Sequence, residues 1–165
     1  MPVKRTLREE FEEYILSDQD RFYRLAFSYV KNSDAAMDVV QESIMKALGK
    51  LDSLRKPEHM KTWFYRILVN ESINHIRKNK RFSWEDWEET QLTAEDRDIP
   101  RSLDLYQAVQ RLPPKLKTVV MLRFYEDRKL EEISKITKSN LNTVKSRLYK
   151  SLKLLRDYIG EEEAG

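Results

Sequence analysis

Apolar residues recur along most of this chain at the spacing of one face of an α-helix. The first clear stripe follows the i, i+3, i+4, i+7 pattern and comprises Phe22, Leu25, Ala26 and Tyr29. This spacing predicts a helix with one buried side. The Asn32-Ser33-Asp34 run behind it supplies side chains suited to capping the start of a second helix.

The second predicted helix has two chemically different faces. Its predicted buried face comprises Ala36, Val40, Ile44, Ala47, Leu48 and Leu51. The opposite face carries Asp38, Glu42 and Met45, with Gln41 at its flank. A loop around Arg55-Lys56-Pro57-Glu58 is predicted to follow this helix.

A third helix is predicted from about Lys61 to Arg81, and it too is two-sided. Phe64, Leu68, Val69, Ile73 and Ile76 fall on one side at 3.6 residues per turn. The other side forms a stripe of Trp63, Arg66, Asn70, Asn74, Arg77 and Arg81. The helix carries six basic residues and the single acid Glu71. Basic side chains neutralise phosphates and an aromatic ring stacks on bases, so this stripe suits a nucleic-acid strand, although many basic helix faces are merely solvated.

The C-terminal third predicts four helical segments. Leu105, Val109 and Leu112 predict a short helix that ends at Pro113-Pro114, and Leu116 to Phe124 predict a second. A third short helix covers Leu130–Thr137, and Lys138-Ser-Asn140 connects it tightly to a longer helix from Leu141 or Asn142. Two helices joined by three to four residues, with a basic second helix, are typical of the helix-turn-helix.

The longer helix separates a buried face from a face that suits DNA. The predicted buried face is Leu141, Val144, Leu148, Leu152, Leu155 and Ile159. The predicted outward face is Asn142, Ser146, Tyr149, Lys150 and Lys153, flanked by Lys145 and Arg147. Residues 138–156 contain no acidic residue. Outward Asn, Ser and Lys can read base edges, while the flanking bases suit phosphates.

Glycine and charge complete the predicted architecture. Only three glycines occur, which leaves no glycine-rich phosphate loop and few tight hairpins, so we predict an all-α chain. Residues 1–81 carry 16 basic and 12 acidic residues, residues 82–101 carry 2 and 7, and residues 102–165 carry 13 and 9. Two basic blocks that flank an acidic, aperiodic strip predict helical domains at 1–81 and 102–165, joined by a linker at 82–101, and a polyanionic partner. Trp84 and Trp87 are unusual in a linker, and whether they dock on a domain stays open.

Several classes of protein are disfavoured by what the sequence lacks. There is no cysteine, no apolar run of signal-peptide type in residues 1–13, and no stretch of membrane-spanning length, so we expect a cytoplasmic protein without membrane insertion. His59 and His75 are isolated and predict no metal site. No nucleophilic or carboxylate constellation stands out. We therefore expect a protein that is not an enzyme and has neither a cofactor nor a small-molecule substrate.

Over residues 10–156 the chain resembles the extracytoplasmic-function (ECF) group of bacterial sigma factors. Asp38-Val-Val-Gln-Glu42, with Ile44 and Ala47-Leu48, is similar to the family's second conserved region, and Thr62-Trp-Phe-Tyr-Arg-Ile67 with Asn70 to its promoter-opening helix. The fourth region is matched by four pieces: Leu112-Pro113, Leu122-Arg123, Leu130-Glu-Glu-Ile133 and Thr143-Val-Lys-Ser-Arg-Leu148. The order of these pieces, and the gap of roughly 20 residues between the two blocks, make the combined resemblance specific.

The resemblance implies a role for each predicted surface. It implies that Asp38, Gln41, Glu42 and Met45 dock on core RNA polymerase. It also implies that the loop from about Leu54 to Lys61, with Asn70, captures a flipped base of the minus-ten element. The helix from Asn142 is expected to enter the major groove at the minus-thirty-five element. The expected DNA contacts are Trp63, Arg66, Asn70, Asn74, Arg77, Asn142, Thr143, Lys145, Ser146, Arg147, Tyr149, Lys150 and Lys153.

Departures from the family pattern and two rival functions remain. Ser139 and Asn142 stand where the family usually has a small apolar residue and a glycine, and we expect Asn142 to preserve the turn because asparagine tolerates left-handed backbone. A membrane-anchored anti-sigma factor is an expected partner from the resemblance alone. The rivals are a conventional helix-turn-helix regulator and a nucleic-acid-processing enzyme. The sequence names neither the promoter set nor the inducing signal.

Overall fold

In a computed structural model, residues 5–80 and 105–164 are described, and every regular element among them is helical. The predicted all-α class is thereby confirmed. The contacts divide the chain into two compact units, residues 1–79 and 80–165. The acidic strip 82–101, with Trp84 and Trp87, lies outside the described residues, so the domain boundaries at 81 and 102 stay predictions.

The first unit begins with two helices whose ends are set by local hydrogen bonds. Helix α1 spans Leu7–Val30 and departs from helical geometry at Asp18 (φ −116°, ψ 16°). It ends at Lys31, whose backbone is left-handed (φ 55°). Helix α2 spans Ser33–Gly49, and the Oδ1 of Asn32 accepts a hydrogen bond from the Ala35 N–H at 2.9 Å, as the predicted cap requires.

An aromatic cluster forms the core of this unit. Short 3₁₀ turns at Leu51–Ser53 and Pro57–His59 lead into helix α3, Met60–Lys80. The Phe64 ring of α3 meets Phe22 edge-to-face at 4.8 Å between centroids and Phe11 at 5.7 Å, and all three are buried. Each such pair contributes roughly 0.5–1.5 kcal/mol of stability beyond the burial of its surface. These contacts therefore fix the orientation of α3 against α1.

Helical serines shift the buried faces from their predicted positions. In α2, Val40, Ile44 and Leu48 are only half-buried, whereas Val39 and Ser43 are buried. The Ser43 hydroxyl donates to the Val39 carbonyl at 2.7 Å, so its polar group is satisfied although it is buried. In α3 the buried Ser72 donates in the same way to Leu68, while the predicted core residue Ile73 is half-buried.

The second unit contains the predicted helix-turn-helix. Helices α4 (Leu105–Gln110) and α5 (Pro114–Val120) are followed by a π-helical turn, Met121–Tyr125. Helix α6 (Leu130–Thr137) and helix α7 (Leu141–Ala164) then form the paired motif. The bounds of α6 are those predicted, and α7 begins at Leu141, one of its two predicted starts. Leu105, predicted to be buried, is 56% exposed, because it lies at the very start of α4.

The buried face of α7 also differs from its prediction. Leu152, predicted to be buried, is exposed, and Leu141, Leu148 and Ile159 are half-buried. The residues that are buried on this helix are Val144, Ser151, Leu155 and Tyr158. The Ser151 hydroxyl lies 2.7 Å from the Arg147 carbonyl and 3.4 Å from the Leu116 carbonyl of α5, so a small polar residue occupies the contact between α5 and α7. Leucine at 152 is correspondingly turned outward.

Candidate nucleic-acid interface

Residues 138–140 connect α6 to α7, and Lys138 and Asn140 set the two ends of this connection. Lys138 adopts the left-handed conformation (φ 54°), which ends α6. The Asn140 side chain then caps α7 by accepting the Thr143 N–H at 2.8 Å. The turn is present, as expected, but Asn142 does not supply it: the left-handed residue lies four positions earlier, and Asn142 is exposed in the first turn of α7.

Arg147 holds this connection from the side of α7. Its guanidinium donates to the Ser139 hydroxyl oxygen at 3.0 Å, and the Ser134 hydroxyl donates to the Ser139 carbonyl at 2.5 Å. Arg147 is half-buried as a result. Sequence reasoning placed it among the DNA contacts and missed the bond to Ser139, because the two residues are eight positions apart and separated by a turn.

The other residues predicted to face DNA on α7 form one surface strip. Thr143 is half-buried in the first turn. The exposed members are Asn142, Lys145, Ser146, Tyr149, Lys150 and Lys153. Tyr149 is 73% exposed, which is unusual for a large aromatic ring and leaves it available for stacking. The strip therefore combines hydrogen-bonding groups, positive charge and one aromatic face without any acidic residue.

On α3 the predicted stripe divides into an exposed and a supported part. Asn70, Asn74 and Arg77 are exposed, whereas Trp63 and Arg66 are half-buried. The Trp63 indole packs edge-on against Phe11, with 6.1 Å between centroids. Part of this ring is therefore anchored in the aromatic core and part faces solvent. Arg81, at the end of the predicted stripe, lies outside the described residues.

The loop predicted to capture a base, from about Leu54 to Lys61, is packed against the rest of the unit at both of its ends. Leu54 and Met60 are buried, while the residues between them are exposed. The Lys61 ammonium lies 5.8 Å from the centroid of the Tyr14 ring, which ties the start of α3 to α1. A segment with anchored ends and exposed polar residues suits the insertion of a base.

The predicted polymerase-binding residues lie together on the surface of α2. Asp38, Gln41, Glu42 and Met45 are all exposed, and Met45 is 68% exposed. Met37, which the sequence did not single out for this surface, is 52% exposed and lines a groove between α1 and α2 with Tyr23 and Gln41. The sequence did contain one signal for this groove. Met37 lies one turn before Gln41, and methionine is common on adaptable binding surfaces.

A surface concavity joins the α2 residues to the α3 stripe. Its lining includes Asp38, Glu42 and Lys46 from α2, spaced four apart. The α3 side contributes Glu71, Asn74, His75 and Lys78. The Lys46 ammonium forms an ion pair with the Glu71 carboxylate, whose side chain is only 14% exposed. The hydrogen bond with Glu71 raises the pKa of Lys46 above its ordinary value, against the opposing effect of desolvation.

Within residues 5–80 and 105–164, no group of three or more His, Asp or Glu side chains is arranged to hold a metal ion. Over the same residues, no helix combines the length and apolar character needed to cross a bilayer.

Comparison with known proteins relates both units to one family. Residues 15–82 match the model of sigma-70 region 2, and residues 102–155 match that of sigma-70 region 4. RNA polymerase sigma factor SigV of Bacillus subtilis is 46% identical over 164 residues, which cover 99% of each chain. ECF RNA polymerase sigma factor SigW of the same organism is 29% identical, over 93% of this chain and 91% of the relative.

A solved structure has the same fold. The sigma factor RpoE from Bartonella quintana, in complex with the anti-sigma factor NepR, matches with a TM-score of 0.71 and 23% identity. The match covers 90% of this chain and 96% of the solved one.

Proposed function

The chain belongs to the ECF group of the sigma-70 family, and we propose that it binds core RNA polymerase, directs it to specific promoters and assists DNA opening. The observation that carries this proposal is the near-complete alignment with SigV at 46% identity, which spans both units. The exposed residues on α2, α3 and α7 then supply three surfaces for three tasks.

The α2 surface is proposed to dock on polymerase. Asp38 and Glu42 offer negative charge, Gln41 offers an amide, and Met45 offers exposed apolar area. None of the four supports the aromatic core, so they are free to serve a partner. Charged groups around an apolar contact suit an interface that must be selective and still release its partner.

The α3 stripe is proposed to hold melted DNA of the minus-ten element. Asn70 and Asn74 present amides able to pair with a base edge, while Arg66 and Arg77 provide phosphate charge. The half-buried Trp63 packs edge-on against Phe11, which fixes its ring so that a base can stack on the exposed part. The loop from Leu54 to Lys61 is proposed to enclose a flipped base beside Asn70.

The α7 strip is proposed to read the minus-thirty-five element in the major groove. Asn142, Ser146 and Lys150 are exposed near the start and middle of the helix, the usual reading positions of a recognition helix. Thr143, Lys145, Tyr149 and Lys153 extend the contact toward the backbone, and Arg147, which holds the turn through Ser139, adds positive charge beside the strip. The duplex reader and the strand holder thus lie in different units.

We further propose that the protein works without catalysis or a cofactor, in the cytoplasm with polymerase, and that an anti-sigma factor restrains it. The fold neighbour from Bartonella quintana was solved with such a partner, which supports the last point by analogy only. The units are proposed to act as separate domains, with bounds near residues 81 and 102.

Pull-down and run-off transcription with Bacillus subtilis core RNA polymerase test the proposal. Genomic DNA fragments from the organism that encodes this protein serve as templates, so that the start sites of the transcripts identify the promoters. We expect stable binding to core and transcripts that start at discrete sites only when the protein is added. A conventional regulator would bind duplex DNA without core, and a processing enzyme would change the DNA itself. Either result, without factor-dependent transcripts, would contradict the proposal.

A further inference from the structure

Glu71 is an exception on α3, since it is the only acidic residue of that helix. It lies between Asn70 and Asn74, which belong to the proposed DNA stripe, and it lines the same concavity as Asn74. A carboxylate at this place would repel the phosphates of a strand that lies along the stripe. Its presence therefore requires an explanation.

The Lys46 side chain supplies that explanation. Its ammonium reaches from α2 to the Glu71 carboxylate, 25 residues away along the chain. The carboxylate is largely shielded, at 14% exposure, whereas the Lys46 side chain stays 44% exposed. The outward-facing member of the pair is thus the positive one, and the negative charge is covered.

The other charges around the pair do not replace Lys46. Glu42 and Asp38 line the concavity on the α2 side and add negative charge. On the α3 side, His75 and Lys78 lie one and two turns further along the helix from Glu71. Lys46 is therefore the residue seen to pair with Glu71 among the residues that the structure describes.

We propose that Lys46 is a positioning residue for DNA opening, which masks Glu71 so that a melted strand can lie along the α3 stripe. The inference rests on the proposed function, because it takes the stripe as the site of the strand. It makes α2 contribute to both partners: Asp38 and Glu42 serve polymerase, while Lys46, one turn beyond Glu42, serves the DNA surface.

The test measures promoter opening by reconstituted holoenzyme, with 2-aminopurine placed in the minus-ten element of a promoter found by run-off transcription. Four variants are compared with wild type: Lys46→Met, Glu71→Gln, the double variant, and Lys50→Met. Lys50 is exposed at the end of the same helix and controls for the loss of one positive charge. Core affinity and thermal unfolding are measured alongside, to separate opening from docking and folding.

We expect Lys46→Met to weaken opening by about five- to tenfold in low salt, more than Lys50→Met does, because it leaves a carboxylate beside the strand. Glu71→Gln should open at least as well as wild type, and the double variant should recover most of the loss. Raising the salt concentration should shrink the difference between Lys46→Met and Lys50→Met, since screening weakens exposed charges.

Two results would overturn the inference. Equal losses in Lys46→Met and Lys50→Met would show that no masking occurs. An equal loss in Glu71→Gln, without recovery in the double variant, would show that the pair only holds α2 against α3. If Lys46→Met does not fold, the charge swap Lys46→Glu with Glu71→Lys carries the test. It keeps the pair but places the carboxylate at the exposed position, so it should open less well than wild type, and opening equal to wild type would show that the pair only holds α2 against α3. Normal opening by Asn70→Ala and Arg77→Ala would instead contradict the proposed function.

Discussion

The two units present their candidate DNA-binding helices in different settings. Helix α7 faces outward in a segment, residues 138–156, that has no acidic residue. Helix α3 carries Glu71 beside its stripe, and Lys46 of the neighbouring helix α2 pairs with that acid. The first helix presents positive charge, hydrogen-bonding groups and the Tyr149 ring with no acid among them, whereas the second has a carboxylate beside its positive and aromatic groups.

The cores beneath these two helices also differ, since one is built from aromatic rings and the other mainly from aliphatic side chains. Under α3 lies an edge-to-face cluster of Phe11, Tyr14, Phe22 and Phe64, which fixes one orientation of the helix. The core beneath α7 is mainly aliphatic, with Val119, Ile133, Ile136 and Val144 among its buried members. A ring that must stack on a base needs a rigid support, while a recognition helix needs chiefly a fixed turn. In the second unit, Lys138, Asn140 and the Arg147–Ser139 bond provide that turn.

The largest expected effect comes from breaking one unit alone. Val144→Asp places a carboxylate in the fully buried side of α7 and should cost more than about 4 kcal/mol of unfolding free energy. Hydrogen exchange should show lost protection in α5–α7 and retained protection in α1–α3. Leu152→Asp is the matched control and should be tolerated, because Leu152 is exposed. Lost protection in α1–α3 would mean that the units do not fold separately.

A second test reverses the charge of the α2 surface. Asp38→Arg with Glu42→Arg should weaken core binding by several kcal/mol, since like charges would meet at the interface. Both side chains are exposed, so unfolding should be unaffected. Fluorescence titration with core polymerase measures the effect, with Asp52→Arg as the exposed control. Unchanged affinity would show that this surface is only solvated.

A third test separates base reading from phosphate contact on α7. Lys150→Ala and Ser146→Ala should each cost about 1–3 kcal/mol on the cognate promoter and relax preference at one position. Lys145→Ala should weaken cognate and scrambled duplex alike and lower the salt slope by about 1. Titrations of both duplexes across salt concentrations give these quantities. Equal, small losses for all three variants would show that the strip does not read DNA.

The smallest expected effect concerns the turn. Ser139→Ala removes the acceptor of Arg147 and should lower the unfolding free energy of the second unit by about 0.5–1.5 kcal/mol, without changing the salt slope of DNA binding. Arg147→Ala should show the same loss, and an additional change in salt slope if the guanidinium also contacts a phosphate. Urea unfolding and DNA titration together distinguish these roles. No loss of stability in either variant would show that the bond is incidental.

Helix positions could be predicted from sequence because their signals are local. The cap at Asn32, the bounds of α6 and the acid-free helix after Lys138 all depend on residues within one or two turns of each other. Exposure of Asp38, Gln41 and Glu42 followed from the same periodicity.

What could not be predicted depends on hidden polar groups and distant partners. Ser43, Ser72 and Ser151 can be buried because each hydroxyl bonds the carbonyl four residues earlier, and a pattern that counts only apolar residues therefore misplaces the buried face. The Lys46–Glu71 pair joins residues 25 apart, and no periodic pattern within one helix reports such a contact.

Footprinting of the holoenzyme on one promoter tests most directly that the two units divide the recognition of DNA. Nuclease protection reports duplex binding upstream, and permanganate reactivity of thymines reports melting at the minus-ten element. We predict that Asn70→Ala with Arg77→Ala keeps upstream protection and loses permanganate reactivity, whereas Ser146→Ala with Lys150→Ala loses upstream protection. If the α3 variant lost upstream protection while melting persisted, the assignment of strand holding to the first unit and duplex reading to the second would be contradicted.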